Sequence, residues 1–226
     1  MRTRLQNLSG YFIVIMMVLA GFGVAPALSD GHSANQKGQS AFSKAVQAIK
    51  EKNYRDGLSM FMELAEAGDH EAQYNVAVLL RSGKGRPQNY ADALFWARLS
   101  QLGQIEQASD LVDQLEDKVI EGQLETITKR VKSSLMDKID AGFIDTIPQL
   151  ARFHIELLEE ADYASAYMWY TVATALDIPE MLTLRDDMED ELDAEQIAEM
   201  QARATEMFDR ILNGQSIQPE DNADES

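Results

Sequence analysis

Apolar residues recur along this chain at helical spacing, in short blocks cut by polar turns. Over 194–212, Ile197, Met200, Ala204, Met207, Phe208 and Ile211 fall on one face. Asp193-Ala194-Glu195-Gln196 opens that block with the pattern of a capping box. Over 128–141, Val131, Leu135 and Ile139 repeat every fourth residue. Between blocks stand Asn53, Gly68, Gly83, Gly85, Gly122, Gly142 and Pro179, which suit helix ends and turns. The pattern predicts helices near 38–52, 54–67, 70–82, 90–102, 105–121, 123–140, 145–159, 163–176, 179–191 and 194–212. Nothing alternates as a series of strands would.

The blocks repeat. Tyr90 follows Asn89, Tyr54 follows Asn53 at 36 residues earlier, and Tyr163 follows Asp162 at 73 residues later. In each copy a helix cap precedes a tyrosine. Three residues on are the small Gly57, Ala93 and Ala166, and six on are the bulky Met60, Trp96 and Trp169. A small residue lets two helices approach while the large one fills the gap, so the three bulky residues read as core fillers. Eighteen on are Ala72, Ala108 and Met181. Fourteen on, the copies diverge as Gly68, Gln104 and Asp177, with Gly103 standing one place early. That displacement predicts a one-residue slip at the helix end, recovered by Ala108. A degenerate copy fits between, with Ala141-Gly142-Phe143 answering Ala67-Gly68-Asp69 and Ala151 answering Ala77. A single helix pair cannot bury its own apolar stripe, so neighbours must stack. The expectation is an all-α chain: a short α-α superhelical solenoid of antiparallel helix pairs with a C-terminal capping helix.

Composition narrows the function. The chain has 226 residues, with Lys+Arg 20 against Asp+Glu 38 and a net charge of −18. Such a field repels phosphate backbones, so nucleic acid is not an expected partner. The absence of cysteine removes disulfides, thiolate metal sites and thiol nucleophiles. At the start, Arg2 and Arg4 precede an apolar run from Tyr11 to Val24, then Ala25-Pro26-Ala27-Leu28-Ser29. Small residues after such a run fit a cleavable signal peptide, cut after Ala27 or Ser29. The run is short for a span, which needs roughly 20 residues. An uncleaved signal anchor is the alternative, and stable membrane insertion is not expected if the leader is removed. The expected organisation is a signal peptide at 1–29, a flexible leader at 30–37, the repeat domain at 38–213 and a disordered acidic tail at 214–226.

Two stretches carry a family resemblance. Ala72-Gln73-Tyr74-Asn75-Val76-Ala77, then Gly83-Lys84-Gly85 and Asn89-Tyr90-Ala91-Asp92-Ala93 with Trp96, resembles the Sel-one-like repeat. That family is a relative of tetratricopeptide repeats and builds antiparallel helix pairs. The likeness is good over 54–108 and partial over 143–182, where Asp162, Tyr163, Ala166 and Trp169 keep the pattern. Leu158-Glu159-Glu160 departs from it, standing where the glycine turn belongs. The resemblance implies a non-enzymatic adaptor or scaffold that binds another protein or a peptide. The signal-like leader adds the expectation that the mature protein is exported, to a bacterial periplasm or beyond as a secreted protein. A cell-envelope enzyme or hydrolase helper is one alternative, and a membrane-tethered scaffold another.

Chemical motifs are sparse. Gly83-Lys84-Gly85-Arg86 lacks the longer glycine span of a phosphate-binding loop and reads as a helix terminator. His70-Glu71 and His154-Ile155-Glu156 lack the four-residue spacing of a helical metal site, and His154 falls where the repeat places a buried aromatic. Asp186-Asp187-Met188-Glu189-Asp190-Glu191 has no calcium-loop glycine and reads as a solvated face that could attract a basic partner. No catalytic residue, metal ligand or cofactor is assigned. In related helix pairs the first helix lines the concave face. That places Glu71, Tyr74, Val78 and Arg81 of one such helix, with Arg152 and Glu156 of a later one, on a candidate partner-binding surface. Tyr and Arg contribute heavily to interface energy.

Overall fold

The computed structural model describes residues 30–218. Among them ten α-helices follow in order: α1 (Asp30–Lys50), α2 (Tyr54–Glu66), α3 (His70–Ser82), α4 (Tyr90–Leu102), α5 (Glu106–Glu116), α6 (Glu121–Asp140), α7 (Ile147–Glu156), α8 (Tyr163–Ala175), α9 (Met181–Glu189) and α10 (Ala194–Leu212). A 3-10 turn at Ile144–Thr146 leads into α7. Successive helices from α1 to α5 pack in pairs, and so do those from α6 to α9. The two runs meet where α6 and α7 lie on α4. α10 folds over α8 as a terminal cap. The tandem all-α architecture is the one the periodicity predicts.

Two boundaries differ from expectation. Helix α1 already begins at Asp30, so helical backbone runs through 30–37, where a leader was expected. Past α10 the chain does not leave the surface at once. Asp140 accepts from Ser216 Oγ at 2.6 Å and from the Ile217 amide at 2.8 Å, and the Ile217 side chain is buried. The anticipated tail is therefore docked over 214–218. The signal peptide expected at 1–29 and the rest of the tail, 219–226, lie outside the described residues.

The helix ends share one device. At Gly68, Gln104, Gly142 and Asp177 the backbone turns left-handed, with φ of 101°, 63°, 90° and 57°. Each of these amides donates to the carbonyl three residues back, and the next amide to the one five back. That pairing satisfies carbonyls a helix end would otherwise leave open. Gln104 and Asp177 occupy the positions equivalent to Gly68, so no slip occurs at the end of α4. Gly103 has an ordinary φ of −80° and is a glycine for another reason, given below.

The repeat positions do what their size suggests in most copies. Ala72, Ala77, Ala93 and Ala166 are wholly buried, and Trp96 and Trp169 are buried beside them. Gly57 keeps the same contact at its tightest: a Cβ there would sit 2.4 Å from Ile49 Cδ1. Met60 departs from the expected core role and is 37% exposed. Helix α2 packs chiefly on α1 and α3, whereas α4 lies under α6 and α8 under α10. Asn89 and Asp162 cap their helices by accepting from Asp92 N at 3.0 Å and Ser165 N at 2.9 Å. Asn53 makes no cap bond and instead donates from Nδ2 to Asp56.

Candidate functional site

The Gly83–Gly85 turn is structural. Gly83 closes α3 in the left-handed conformation, and Lys84 N donates to Leu79 O at 3.0 Å. Gly85 lies against α2, where a Cβ would meet Tyr54 O at 2.5 Å. The Lys84 ammonium sits 5.1 Å from the Tyr54 ring centre, a cation–π distance. Lys84 thus ties one unit to the previous one.

The six residues expected to contact a partner divide by environment. Glu71 is exposed on the first turn of α3, and Tyr74 and Val78 are half-buried against the core. Arg81 is already engaged, donating to Gln114 of α5. Arg152 is also engaged: its Nε donates to Leu102 O at 2.7 Å, closing the end of α4 from α7. Burial lowers the Arg152 pKa, opposed by the nearby Tyr170 and Glu156. Glu156 lies exposed at the last turn of α7.

A polar seam joins the two groups, and the sequence pattern did not disclose it. Gln73 Nε2 donates to Ala65 O at 3.2 Å, which turns its Oε1 toward His70 Nδ1 at 3.2 Å. Gln149 Nε2, from α7, stands 3.1 Å from His70 Nε2. The neutral ring with its proton on Nδ1 satisfies both contacts. Burial pulls the His70 pKa down, in keeping with that neutral form. Ser100 Oγ donates to the His70 carbonyl at 2.9 Å. These partners come from α3, α4 and α7, 30 and 79 residues apart, a separation no local motif can register.

Beside the seam, an open groove of about 600 Å³ runs between α1 and α3. Phe42 and Ile105 supply apolar walls, and Asp69 and Glu71 place carboxyl groups along one side. Asp69 is committed to capping α3 through Ala72 N at 2.8 Å, whereas Glu71 makes no ion pair among the described residues. The acidic run Asp186–Glu191 is mostly exposed at the end of α9, and Arg185 pairs with Asp186. Among the described residues no cluster of His, Asp and Glu is arranged to hold a metal ion. Nor is any described helix long and apolar enough to cross a membrane.

Comparison with known proteins adds little beyond this. No family model matches the chain, and no curated protein matches it. Among solved structures, the chain is similar to a protective antigen of uropathogenic Escherichia coli strains described as displaying an SLR fold, with 16% identity and a TM-score of 0.31. The similarity covers 87% of this chain and 52% of that one, so the chain spans about half the length of that protein.

Proposed function

We propose that the protein is a non-enzymatic interaction scaffold of the bacterial periplasm that holds a basic segment of another protein on its helical array. The groove between α1 and α3 carries this reading. It sets the exposed Glu71 carboxylate beside Phe42 and Ile105, on a chain of net charge −18. A segment bearing Lys or Arg next to an apolar residue would satisfy both features, and the acidic field would speed its approach. The leader-like pattern at 1–29 supports export.

Photo-crosslinking in cells tests the reading, with a benzoylphenylalanine at Phe42 and a control probe at the exposed Glu125 of α6. The Phe42 probe is expected to trap a defined protein with a basic segment, and Glu71→Lys to suppress the adduct. The same products from both positions would overturn the groove assignment. N-terminal sequencing of the purified protein is expected to begin at Leu28 or Asp30. A start at Met1 would replace the soluble periplasmic form with a tethered one.

A further inference from the structure

A second cavity, of about 490 Å³, lies among α6, α7, α8, α10 and the docked residues 217–218. Its apolar wall includes Met136, Met168, Trp169 and Met207. Its polar wall carries the cations Lys132 from α6 and Arg203 and Arg210 from α10, together with the His154 ring of α7 and one acid, Glu206. This is a local excess of positive charge on a chain whose acids outnumber its bases almost two to one.

The charges are only partly compensated. Arg210 pairs with Glu206 at 3.0 Å. Lys132 and Arg203 make no ion pair among the described residues, and Arg203 donates only weakly, to Met200 Sδ at 3.9 Å. His154 is 6% exposed. Its Nδ1 stands 3.3 Å from Asp162 Oδ2 but lacks the alignment of a hydrogen bond and has no other partner. Lys132 is half-buried and Arg203 exposed, so both can turn their charged ends onto an anion entering the cavity without first giving up an ion pair. The volume and mixed lining are those of a small-molecule site.

We propose that this cavity binds a small amphipathic carboxylate, its head between Lys132 and Arg203 and its apolar body against Met168 and Trp169. The apolar wall argues against a bare inorganic anion, and the cations argue against a neutral hydrocarbon. His154 forms the inner wall, where a bound carboxylate would favour its protonated form.

The test titrates the full chain, labelled at the methionine methyl groups, with sodium octanoate. Octanamide and inorganic phosphate serve as uncharged and headgroup-only probes. Octanoate is expected to saturate with shifts at Met136, Met168 and Met207, and the other two probes to bind about tenfold more weakly or less. The Lys132→Gln/Arg203→Gln variant, checked for an unchanged spectrum, is expected to lose about tenfold in octanoate affinity. Equal binding of octanamide, equal binding of phosphate, or undiminished binding by a folded double variant would each overturn the proposal. So would binding seen only after residues 219–226 are deleted, which would make the chain's own acidic end the occupant.

Discussion

Gly103 faces the imidazole of His70 so closely that a Cβ on residue 103 would lie 2.2 Å from His70 Cγ. The ring cannot simply swing away, because Gln73 and Gln149 hold its two nitrogens and Ser100 holds its carbonyl. Gly103→Ala, at an ordinary φ of −80°, is therefore expected to destabilise by about 1–3 kcal/mol through overcrowding alone. Urea unfolding measures it. The same substitution in a His70→Ala background should cost much less; an equal cost in both would refute the steric account.

The neighbouring residue should respond in the opposite sense. Gln104 holds a left-handed φ of 63° without being glycine. Gln104→Gly is expected to stabilise by about 0.5 kcal/mol, strain relief outweighing the added freedom of the unfolded chain. A drop in the urea midpoint would contradict this.

Helix caps separate in the same way. Asn89→Ala removes an observed cap bond and should cost about 1 kcal/mol, whereas Asn53→Ala removes none to the backbone and should cost a few tenths. Thermal melts of the two variants compare them directly. Equal losses would mean that the repeat position, and not the bond, determines the cost.

Arg98 is buried in the joint of three helices, donating to Glu116 of α5 at 2.8 Å and to Thr128 of α6. Glu116→Ala leaves that guanidinium without its counter-charge and is expected to cost about 2 kcal/mol. Breaking the fully exposed Lys129–Glu125 pair should change the urea midpoint very little. Similar effects from both would show that Arg98 reaches water more easily than its burial suggests.

His154 links stability to pH. Burial, then the charge of Lys132, holds its pKa down to about 4 from 6.5, with Arg203 acting in the same direction and Asp162 opposing. The unfolded chain therefore binds more protons at this site between those two values, and stability falls as pH drops through that window. The loss approaches about 3 kcal/mol at the acid end and vanishes above pH of about 6.5. His154→Phe should flatten this part of a stability-versus-pH curve. An unchanged slope in a folded variant would remove His154 as its source.

The helices were legible because their signals are local. Spacing of apolar positions, the capping box at Asp193 and the small-then-bulky pairs all act within a few turns. At the end of α4 the glycine and the left-handed residue are different positions. A glycine usually marks the left-handed residue, but here Gly103 was selected by contact with His70, 33 residues away in sequence, while Gln104 supplied the turn. Helical phase alone puts Arg152 on the candidate binding face. Phase cannot reveal that Leu102 offers a free carbonyl beside it. No sequence pattern marks the second cavity, because Lys132, His154 and Arg203 come from three separate helices.

The bonds from α7 back to His70 and Leu102 have one more consequence. In an open array each unit touches only its neighbours, so an end can fray while the rest persists. Here α7 is bolted to the far ends of α3 and α4, and opening the middle of the chain breaks contacts on both sides of it. Heat or urea should therefore remove the described array in one concerted step, with amide exchange in α4 and α7 sharing a single opening free energy.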